Sequence, residues 1–258
     1  MDKHQNYKEI RVLEKTAFWD VILVKKDDKY YTIKKINIKG LNEEEIENYN
    51  NEIKILKRFN NENIIKFYDS FKDNDYLYIL MEYGGESNLR RFIEKHKKDN
   101  KLIDEKIILD IILQICYGIK EIHNSNIIHR DIKPENICIN ENNKIKICNF
   151  DIAVILLGTS KYKNDIVGTF DYMAPELMEG KKYNKKVDIY ALGCIIYELL
   201  TLNKFKVDQL CEEKKKINTD IYNEKWEALI NCLLNKDYKK RPNIEEIIEY
   251  IYKYICIN

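Results

Sequence analysis

The predominant hydrophobic periodicity of the sequence changes near the glycine pair at 84–85. Before that pair, short β-branched and aromatic runs at 10–13, 21–24, 30–33, 64–71 and 76–82 predict five strands. One stretch with helical spacing, 42–58, interrupts the strands, and Asn42 with Glu45 has the pattern of a capping box. After the glycine pair the apolar runs have helical spacing. This order predicts an α+β protein with two parts.

The second part is predicted to be mainly helical. The periodicity indicates helices at 89–98, 104–124, 185–202, 226–234 and 244–255. A short hairpin is expected at 137–147, where the pair Asn142 and Asn143 supplies the turn. The pattern shows neither an internal repeat nor a linker.

Composition excludes several classes of protein. The 44 basic and 43 acidic side chains leave a net charge of +1, which creates no field for nucleic acid or an anionic membrane. No apolar run approaches the roughly 18 residues of a membrane span, and the first residues are too polar for a signal peptide. The seven cysteines contain no C-x-x-C pair, which favours reduced, buried thiols over disulfides or zinc. We therefore expect a cytoplasmic or nuclear protein.

The most chemically informative stretch is 129–136, which reads H-R-D-I-K-P-E-N. Asp131 can accept a proton, Lys133 can neutralise a developing negative charge, and Asn136 offers a neutral oxygen to a hard cation. Pro134 favours a loop over a helix. Apolar residues on both sides would anchor the two ends of this loop in a core.

This loop resembles the catalytic loop of eukaryotic protein kinases, H-R-D-x-K-x-x-N, in its Ser/Thr-type spelling. A-P-E at 174–176 and R-P at 241–242 also match the family, and the resemblance runs from about residue 7 to 256. It implies a single protein kinase domain over 1–258 with the bilobal kinase fold. Residues 1–83 would form a small lobe with a five-stranded antiparallel sheet and one helix, and 84–258 a large, mainly helical lobe. The implied reaction is phosphoryl transfer from ATP, with Mg²⁺, to a protein Ser or Thr.

The resemblance assigns roles to individual residues. Asp131 would orient the substrate hydroxyl, Lys133 would stabilise the transferring phosphoryl group, and Asn136 would bind metal. Lys34 matches the strand lysine that holds the α and β phosphates, and Glu52 matches the helix glutamate that pairs with it. The alternative for Lys34 and Glu52 is that both are ordinary surface charges. If the resemblance holds, all of these residues converge on one cleft.

Other positions are implied to border the nucleotide or to support the loop. The implied nucleotide neighbours are Val21, Thr32, the gatekeeper Met81, the hinge residues Glu82 and Tyr83, and the thiols Cys138 and Cys148. For the two thiols, simple packing is the alternative. Asp188 would bond the backbone of the catalytic loop, while Glu176 and Arg241 would form a buried structural ion pair.

The family's glycine-rich loop, G-x-G-x-x-G-x-V, is not preserved. It aligns with 14–21, where Glu14, Thr16 and Trp19 replace the three glycines. Glycine lets backbone N–H groups approach a phosphate without a Cβ in the way. Glu14 and Asp20 also bring negative charge towards a polyanion. This turn is therefore expected to bind triphosphate poorly.

The family's metal motif, D-F-G, reads Asn149-Phe150-Asp151. Asn149 offers a neutral oxygen, whereas Mg²⁺ is usually bound through carboxylates, so the metal site is expected to be weakened. In an extended segment, residues 149 and 151 point the same way. Asp151 could then supply a displaced carboxylate. The alternative is an exposed Asp151 that replaces an unneeded glycine.

The segment before the A-P-E motif contains further candidates. Thr169 belongs to a stretch that resembles the family's substrate-docking turn, where it would contact the catalytic Asp and Lys. Asp165 lies where many kinases carry a phosphorylated Thr, and it could give Arg130 a fixed negative partner. The alternative is one more exposed Asp. Further possible phosphorylation sites are Thr159, Ser160 and Tyr162.

Two functions follow from the resemblance and its departures. The first is a Ser/Thr protein kinase whose phosphoryl transfer is weak or lost, because both departures affect the phosphates and their metal. The alternative is a catalytically inactive pseudokinase that serves as a protein-binding scaffold or allosteric regulator.

Overall fold

The computed structural model describes residues 7–156, 166–205, 217–218 and 220–256. The chain divides into two compact units, one ending at Gly84 and the other beginning at Gly85. The first unit contains an antiparallel sheet with one helix, and the second is mainly helical. The predicted α+β class is therefore confirmed.

The first unit is a five-stranded sheet with the strand order β1-β2-β3-β5-β4. All its neighbouring strands are antiparallel. Its elements are β1 (Lys8–Lys15), β2 (Trp19–Lys26), β3 (Lys29–Asn37), α1 (Glu43–Leu56), β4 (Phe67–Asp73) and β5 (Tyr76–Glu82).

The fourth strand begins later than the sequence predicts. The apolar pattern placed its start near Ile64, but β4 begins at Phe67. Ile64 and Ile65 are buried, at 1% and 3% exposure, although they precede the strand. An apolar run indicates that its residues are buried. It does not show whether they belong to a strand or to a buried loop.

The two faces of the sheet are distinguished by the alternation of side chains along each strand. One face carries an apolar cluster built from Ile22, Val24, Ile33, Tyr78 and Leu80. The opposite face therefore receives the residues that alternate with these.

Helix α1 begins with the predicted capping box. The Asn42 side chain accepts the Glu45 N–H at 2.9 Å, and the Glu45 carboxylate accepts the Asn42 N–H at 2.8 Å. The buried side chains near the end of this helix are Glu52, Ile53, Ile55 and Leu56. The cap thus fixes where the helix starts, and the helical repeat places Glu52 on its buried face.

The second unit is built around its longest helices. Its elements are β6 (Ser87–Asn88), α2 (Leu89–Lys98), α3 (Glu105–Asn124), β7 (Ile127–Ile128), β8 (Ile137–Ile139), β9 (Ile145–Ile147), β10 (Val154–Ile155), α4 (Pro175–Met178), α5 (Lys186–Thr201), α6 (Lys225–Leu233) and α7 (Ile244–Tyr254). The two-residue strands and the short α4 were not predicted, because they are too short to show a period. Within the described ranges, no helix combines the length and the apolar character needed to span a bilayer.

Helix α5 is the buried centre of this unit, as its apolar sequence predicts. Almost all its residues are buried, including the carboxylates of Asp188 and Glu198. Buried charges of this kind require partners. The partners of Asp188 are the loop that precedes β8 and His123 on α3.

Glu176 and Arg241 form the predicted ion pair. The two Arg241 Nη atoms donate to the two Glu176 carboxylate oxygens at 2.7 and 2.8 Å. Arg241 is 1% exposed, and its guanidinium lies 4.9 Å from the centre of the Tyr190 ring. The pair ties α4 to the loop before α7.

We expect Glu176→Gln to lower the free energy of unfolding by about 3–5 kcal/mol, because it leaves the buried Arg241 without a full counter-charge. The measurement is urea unfolding at neutral pH. Glu249→Gln is the matched control, since Glu249 is exposed on α7 and should change little. Equal stabilities for Glu176→Gln and Glu249→Gln would contradict a structural role for the pair.

Candidate active site

Lys34 and Glu52 form a buried ion pair in the first unit. Lys34 Nζ donates to Glu52 Oε1 at 3.0 Å and to Oε2 at 2.9 Å. The two side chains are only 3% and 2% exposed. Such a pair is costly to desolvate and needs both partners, so the surface-charge alternative for these residues is wrong.

The strand register gathers further predicted residues on the same sheet face as Lys34. Lys34 lies opposite Val21 on β2, and Thr32 lies opposite Met81 on β5. Because side chains two residues apart share a face, Thr32 and Lys34 point the same way. This face is the one opposite the apolar cluster. The structure thus brings together Val21, Thr32, Lys34 and Met81.

The predicted hinge already uses two of its backbone groups. The Glu82 N–H donates to the Lys66 carbonyl at 2.8 Å, and the Thr32 hydroxyl donates to the Glu82 carbonyl at 2.9 Å. The Tyr83 ring lies 6.0 Å from the Tyr30 ring.

The turn between β1 and β2 is closed by Thr16. Its hydroxyl accepts the N–H groups of Phe18 at 3.2 Å and Trp19 at 3.0 Å, and it donates to the Trp19 carbonyl at 2.9 Å. The Trp19 ring then lies with its centre 4.9 Å from Lys34 Nζ, a cation–π distance. The sequence showed only that glycines are missing here, and these contacts were not predicted.

In the second unit, Asp188 holds the loop that carries Asp131. The Asp188 carboxylate accepts the His129 N–H at 3.0 Å and the Arg130 N–H at 2.9 Å, as predicted. His123 Nε2 lies 2.9 Å from the same carboxylate. Burial alone would raise the pKa of Asp188, but these hydrogen bonds and the nearby His123 hold that pKa below its usual range. The loop is therefore anchored by an ionised buried group.

His129 adds an apolar contact to this anchor. Its ring centre lies 4.7 Å from that of Phe150, the middle residue of the 149–151 motif. Burial lowers the pKa of His129, so the imidazole is neutral at physiological pH. Phe150 is itself buried, at 1% exposure.

Asp131 is the centre of a compact polar cluster. Its carboxylate accepts the Thr169 hydroxyl at 2.8 Å and the Asn136 amide at 2.7 Å, and it lies 2.9 Å from Lys133 Nζ. Lys133 Nζ also donates to Thr169 Oγ1 at 2.6 Å. Burial would raise the pKa of Asp131, but Lys133 and Thr169 outweigh burial and lower it. The group is an ionised acceptor aimed at a hydroxyl.

The metal motif is bent rather than extended. Asn149 has a φ of +63°, in the left-handed region that asparagine tolerates. The segment is therefore not extended at Asn149, and the expectation on which the displaced Asp151 carboxylate depends is wrong. With its amide turned so that oxygen does not face oxygen, the Asn149 nitrogen donates to the two Asp151 carboxylate oxygens at 2.8 and 3.0 Å. Turned the other way, that nitrogen would have Asn136 Oδ1 as a distant acceptor at 3.4 Å, so the first orientation is preferred.

These residues do not suit Mg²⁺. Asn136 and Asn149 provide neutral oxygens, and the Asp151 carboxylate is bonded to an amide. Mg²⁺ in proteins is usually held through one or two carboxylates and substrate phosphates. Across the ranges that the structure covers, no group of three or more His, Cys, Asp or Glu side chains is arranged to hold a metal ion.

A family model for the protein kinase domain matches residues 7–253. The chain belongs to the eukaryotic Ser/Thr protein kinase family. It is 34% identical to the probable serine/threonine-protein kinase nek2 of Dictyostelium discoideum, over 95% of this chain and 62% of that protein. It is 36% identical to the serine/threonine-protein kinase Nek8 of Danio rerio, over 98% of this chain and 37% of that protein. The chain thus spans less than two thirds of these two relatives.

A third relative is covered further along its own length. The serine/threonine-protein kinase nekl-2 of Caenorhabditis elegans is 32% identical over 94% of this chain and 73% of that protein. Members of the kinase family use ATP and Mg²⁺, which makes the neutral metal motif of this chain a departure within its own family.

Arg130 is held by contacts within the second unit. Its backbone has a φ of +68°, its Nε donates to the Ile152 carbonyl, and its Nη1 donates to the Tyr183 hydroxyl at 2.7 Å. Asp165 lies outside the described residues, so its pairing with Arg130 stays a prediction. The same holds for Thr159, Ser160 and Tyr162.

Cys138 and Cys148 are brought together beside the metal motif. Their sulfur atoms lie 3.5 Å apart, and Cys148 Sγ donates to the Asn136 carbonyl at 3.1 Å. Both side chains are partly exposed. Their place beside the nucleotide stays a prediction, and the contact between them was not anticipated.

One ion-pair network near the catalytic loop was missed by sequence reasoning. Arg90 on α2 donates to Glu135 at 2.8 Å, to Glu198 at 2.6 Å and to the Tyr172 hydroxyl. The pKa of Arg90 is raised, because its bonds to Glu198 and Glu135 outweigh the effect of burial. The partners are far apart in sequence, so no local signal predicts the network.

We expect Thr169→Val to raise the pKa of Asp131 and to destabilise the protein at pH 7 by about 1.5–3 kcal/mol, because the carboxylate loses a hydrogen bond. A lowered pKa stabilises the fold above the ordinary carboxylate range, and that stability is lost as the pH falls through the folded-state pKa. The difference from wild type should therefore shrink in acid. Urea unfolding at neutral and acid pH measures this effect.

Thr201→Val is the matched control, because among the described residues that hydroxyl bonds only to backbone groups, those of Tyr197 and Asn203. It should leave the pKa of Asp131 unchanged in a carboxylate NMR titration. A Thr169→Val difference that is the same at neutral and acid pH would contradict the role given to Thr169.

Proposed function

We propose that the protein is a Ser/Thr kinase-family protein in which ATP-dependent phosphoryl transfer to protein Ser or Thr is weak or lost. The observation that carries this proposal is Asn149. A neutral amide stands where the family uses a metal-binding carboxylate, and it is bonded to Asp151. Losing one preorganised charge in a catalytic site costs roughly 10²–10³ in rate.

The residues that would act on the substrate hydroxyl match those of the family. Asp131 is ionised and already accepts a Thr hydroxyl, so it can accept and orient a substrate hydroxyl in the same way. Lys133 lies beside it and can neutralise charge on the transferring group. When bound, ATP would supply the phosphoryl group. Lys34 would hold the α and β phosphates, and Glu52 would keep its ammonium in place.

The second function is a pseudokinase that acts as a protein-binding scaffold or allosteric regulator. The Asn149–Asp151 contact and the self-closed turn at Thr16 favour it, because both use groups that a kinase gives to metal and phosphate. In either case the proposed partner is a protein met in the cytoplasm or nucleus, by a monomer or in transient complexes.

We expect the wild-type protein to bind ATP weakly and with little dependence on Mg²⁺ or Mn²⁺. A thermal-shift series with and without each metal measures this binding. Asn149→Asp should restore metal dependence and raise transfer to dephosphorylated casein by about 10²–10³. Asn149→Asp combined with Asp131→Asn is the control, and it should stay inactive.

Two results would overturn the proposal of a weakened kinase. Brisk metal-dependent transfer by the wild type would show that Asn149 is not limiting. Absence of ATP binding in both wild type and Asn149→Asp would favour the scaffold.

A further inference from the structure

We propose that Trp19 and Thr16 close the phosphate side of the first unit, so that it takes a nucleoside in preference to a nucleoside triphosphate. The inference rests on the proposed role of Lys34 as the phosphate-binding residue. It adds a determinant of ligand choice that is separate from the metal motif, because all the residues concerned belong to the stretch from β1 to α1.

The indole of Trp19 covers the ammonium that a phosphate would contact. The ring centre lies 4.9 Å from Lys34 Nζ, while both Glu52 oxygens lie on that ammonium at 3.0 and 2.9 Å. Lys34 is left only 3% exposed. The negative face of an aromatic ring attracts a cation as an anion does, though more weakly. A phosphate must therefore displace the ring or share Lys34 with it.

The register of the sheet explains this contact. Trp19 lies opposite Ile36 and Val21 lies opposite Lys34, so Trp19 and Lys34 are diagonal neighbours on adjacent strands. Diagonal neighbours on one face are within reach of an aromatic side chain. A glycine at position 19, as in the family pattern, would leave Lys34 uncovered on this side.

The hydroxyl of Thr16 occupies backbone donors of the same turn. The N–H groups of Phe18 and Trp19 donate to Thr16 Oγ1 at 3.2 and 3.0 Å, and the Thr16 N–H donates to the Trp19 carbonyl at 2.9 Å. In a glycine-rich loop, N–H groups of this kind are offered to phosphate oxygens. Here the turn satisfies them itself.

The charge of the turn acts in the same direction. Glu14 and Asp20 flank it, and both would repel a triphosphate but not an uncharged nucleoside. A nucleoside needs neither Lys34 nor the N–H groups of the turn. The three features together therefore reduce affinity for phosphates and leave affinity for a nucleoside unchanged.

The experiment compares adenosine, ADP and ATP, without metal, by isothermal titration calorimetry. Trp19→Gly should tighten ATP binding about tenfold, equivalent to about 1.4 kcal/mol, and leave adenosine unchanged. Trp19→Phe is the matched control, because it keeps an aromatic face over Lys34 and should bind ATP as wild type does. Adding Thr16→Gly to Trp19→Gly should tighten ATP binding further.

Trp19 can also report directly on its own displacement. The protein contains two tryptophans, and the other, Trp226, is buried on α6. In a Trp226→Phe background, ATP should shift the remaining emission to longer wavelength as the indole leaves Lys34, whereas adenosine should not. If Trp226→Phe fails to fold, the calorimetric comparison in the wild-type background decides the question.

An unchanged ratio of ATP to adenosine affinity in Trp19→Gly would overturn the inference. Lys34→Met separates this failure from failure of the proposed function. If Lys34→Met weakens ATP binding while Trp19→Gly does nothing, Lys34 binds phosphate and only the role of Trp19 is wrong. If Lys34→Met has no effect on ATP binding even with Trp19→Gly, the proposed function fails as well.

Discussion

The buried carboxylate of Asp188 is the contact on which the catalytic loop depends. It lies on the central helix α5, and it accepts two successive N–H groups from the loop. Without these bonds, the backbone at Arg130 would have no reason to adopt its positive φ, and Asp131 would not be aimed at Thr169. A buried ionised group is tolerated here because His123 and the loop backbone together satisfy it.

Internal pairing of polar groups also distinguishes the site residues that match the family from those that depart from it. Asp131, Lys133, Asn136 and Thr169 still form the cluster that acts on a hydroxyl. At the two positions that serve the triphosphate, groups that would bind a ligand bind the protein instead. The Asn149 amide is bonded to Asp151, and the turn donors are bonded to Thr16. Each change satisfies a polar group internally, which removes the need for the ligand.

The sequence predicted much of the fold because its elements have clear periods. The capping box at Asn42 and the helix that contains Asp188 are examples, since each depends on neighbours in sequence. The start of β4 was less predictable, because burial at Ile64 does not distinguish a strand from a loop. The missed α4 and two-residue strands depend on tertiary pairing alone.

Site residues were predictable where the family motif assigns the residue type one role. Contacts that depend on strand register or on a backbone angle were less predictable. Lys34 and Glu52 were found by their place in the motifs, and the structure puts them in contact. The contact of Trp19 with Lys34 depends on the register between β2 and β3, which local sequence does not show. The bend at Asn149 likewise depends on a backbone angle, and an extended segment was wrongly expected there.

The most direct test is the rate of phosphoryl transfer from ATP to a protein Ser or Thr by the triple variant Thr16→Gly/Trp19→Gly/Asn149→Asp. This variant reopens the phosphate side and restores the metal carboxylate, while the cluster around Asp131 is left intact. The account predicts a metal-dependent rate at least about 10²-fold above that of the wild type. Equal rates for the two proteins would contradict it.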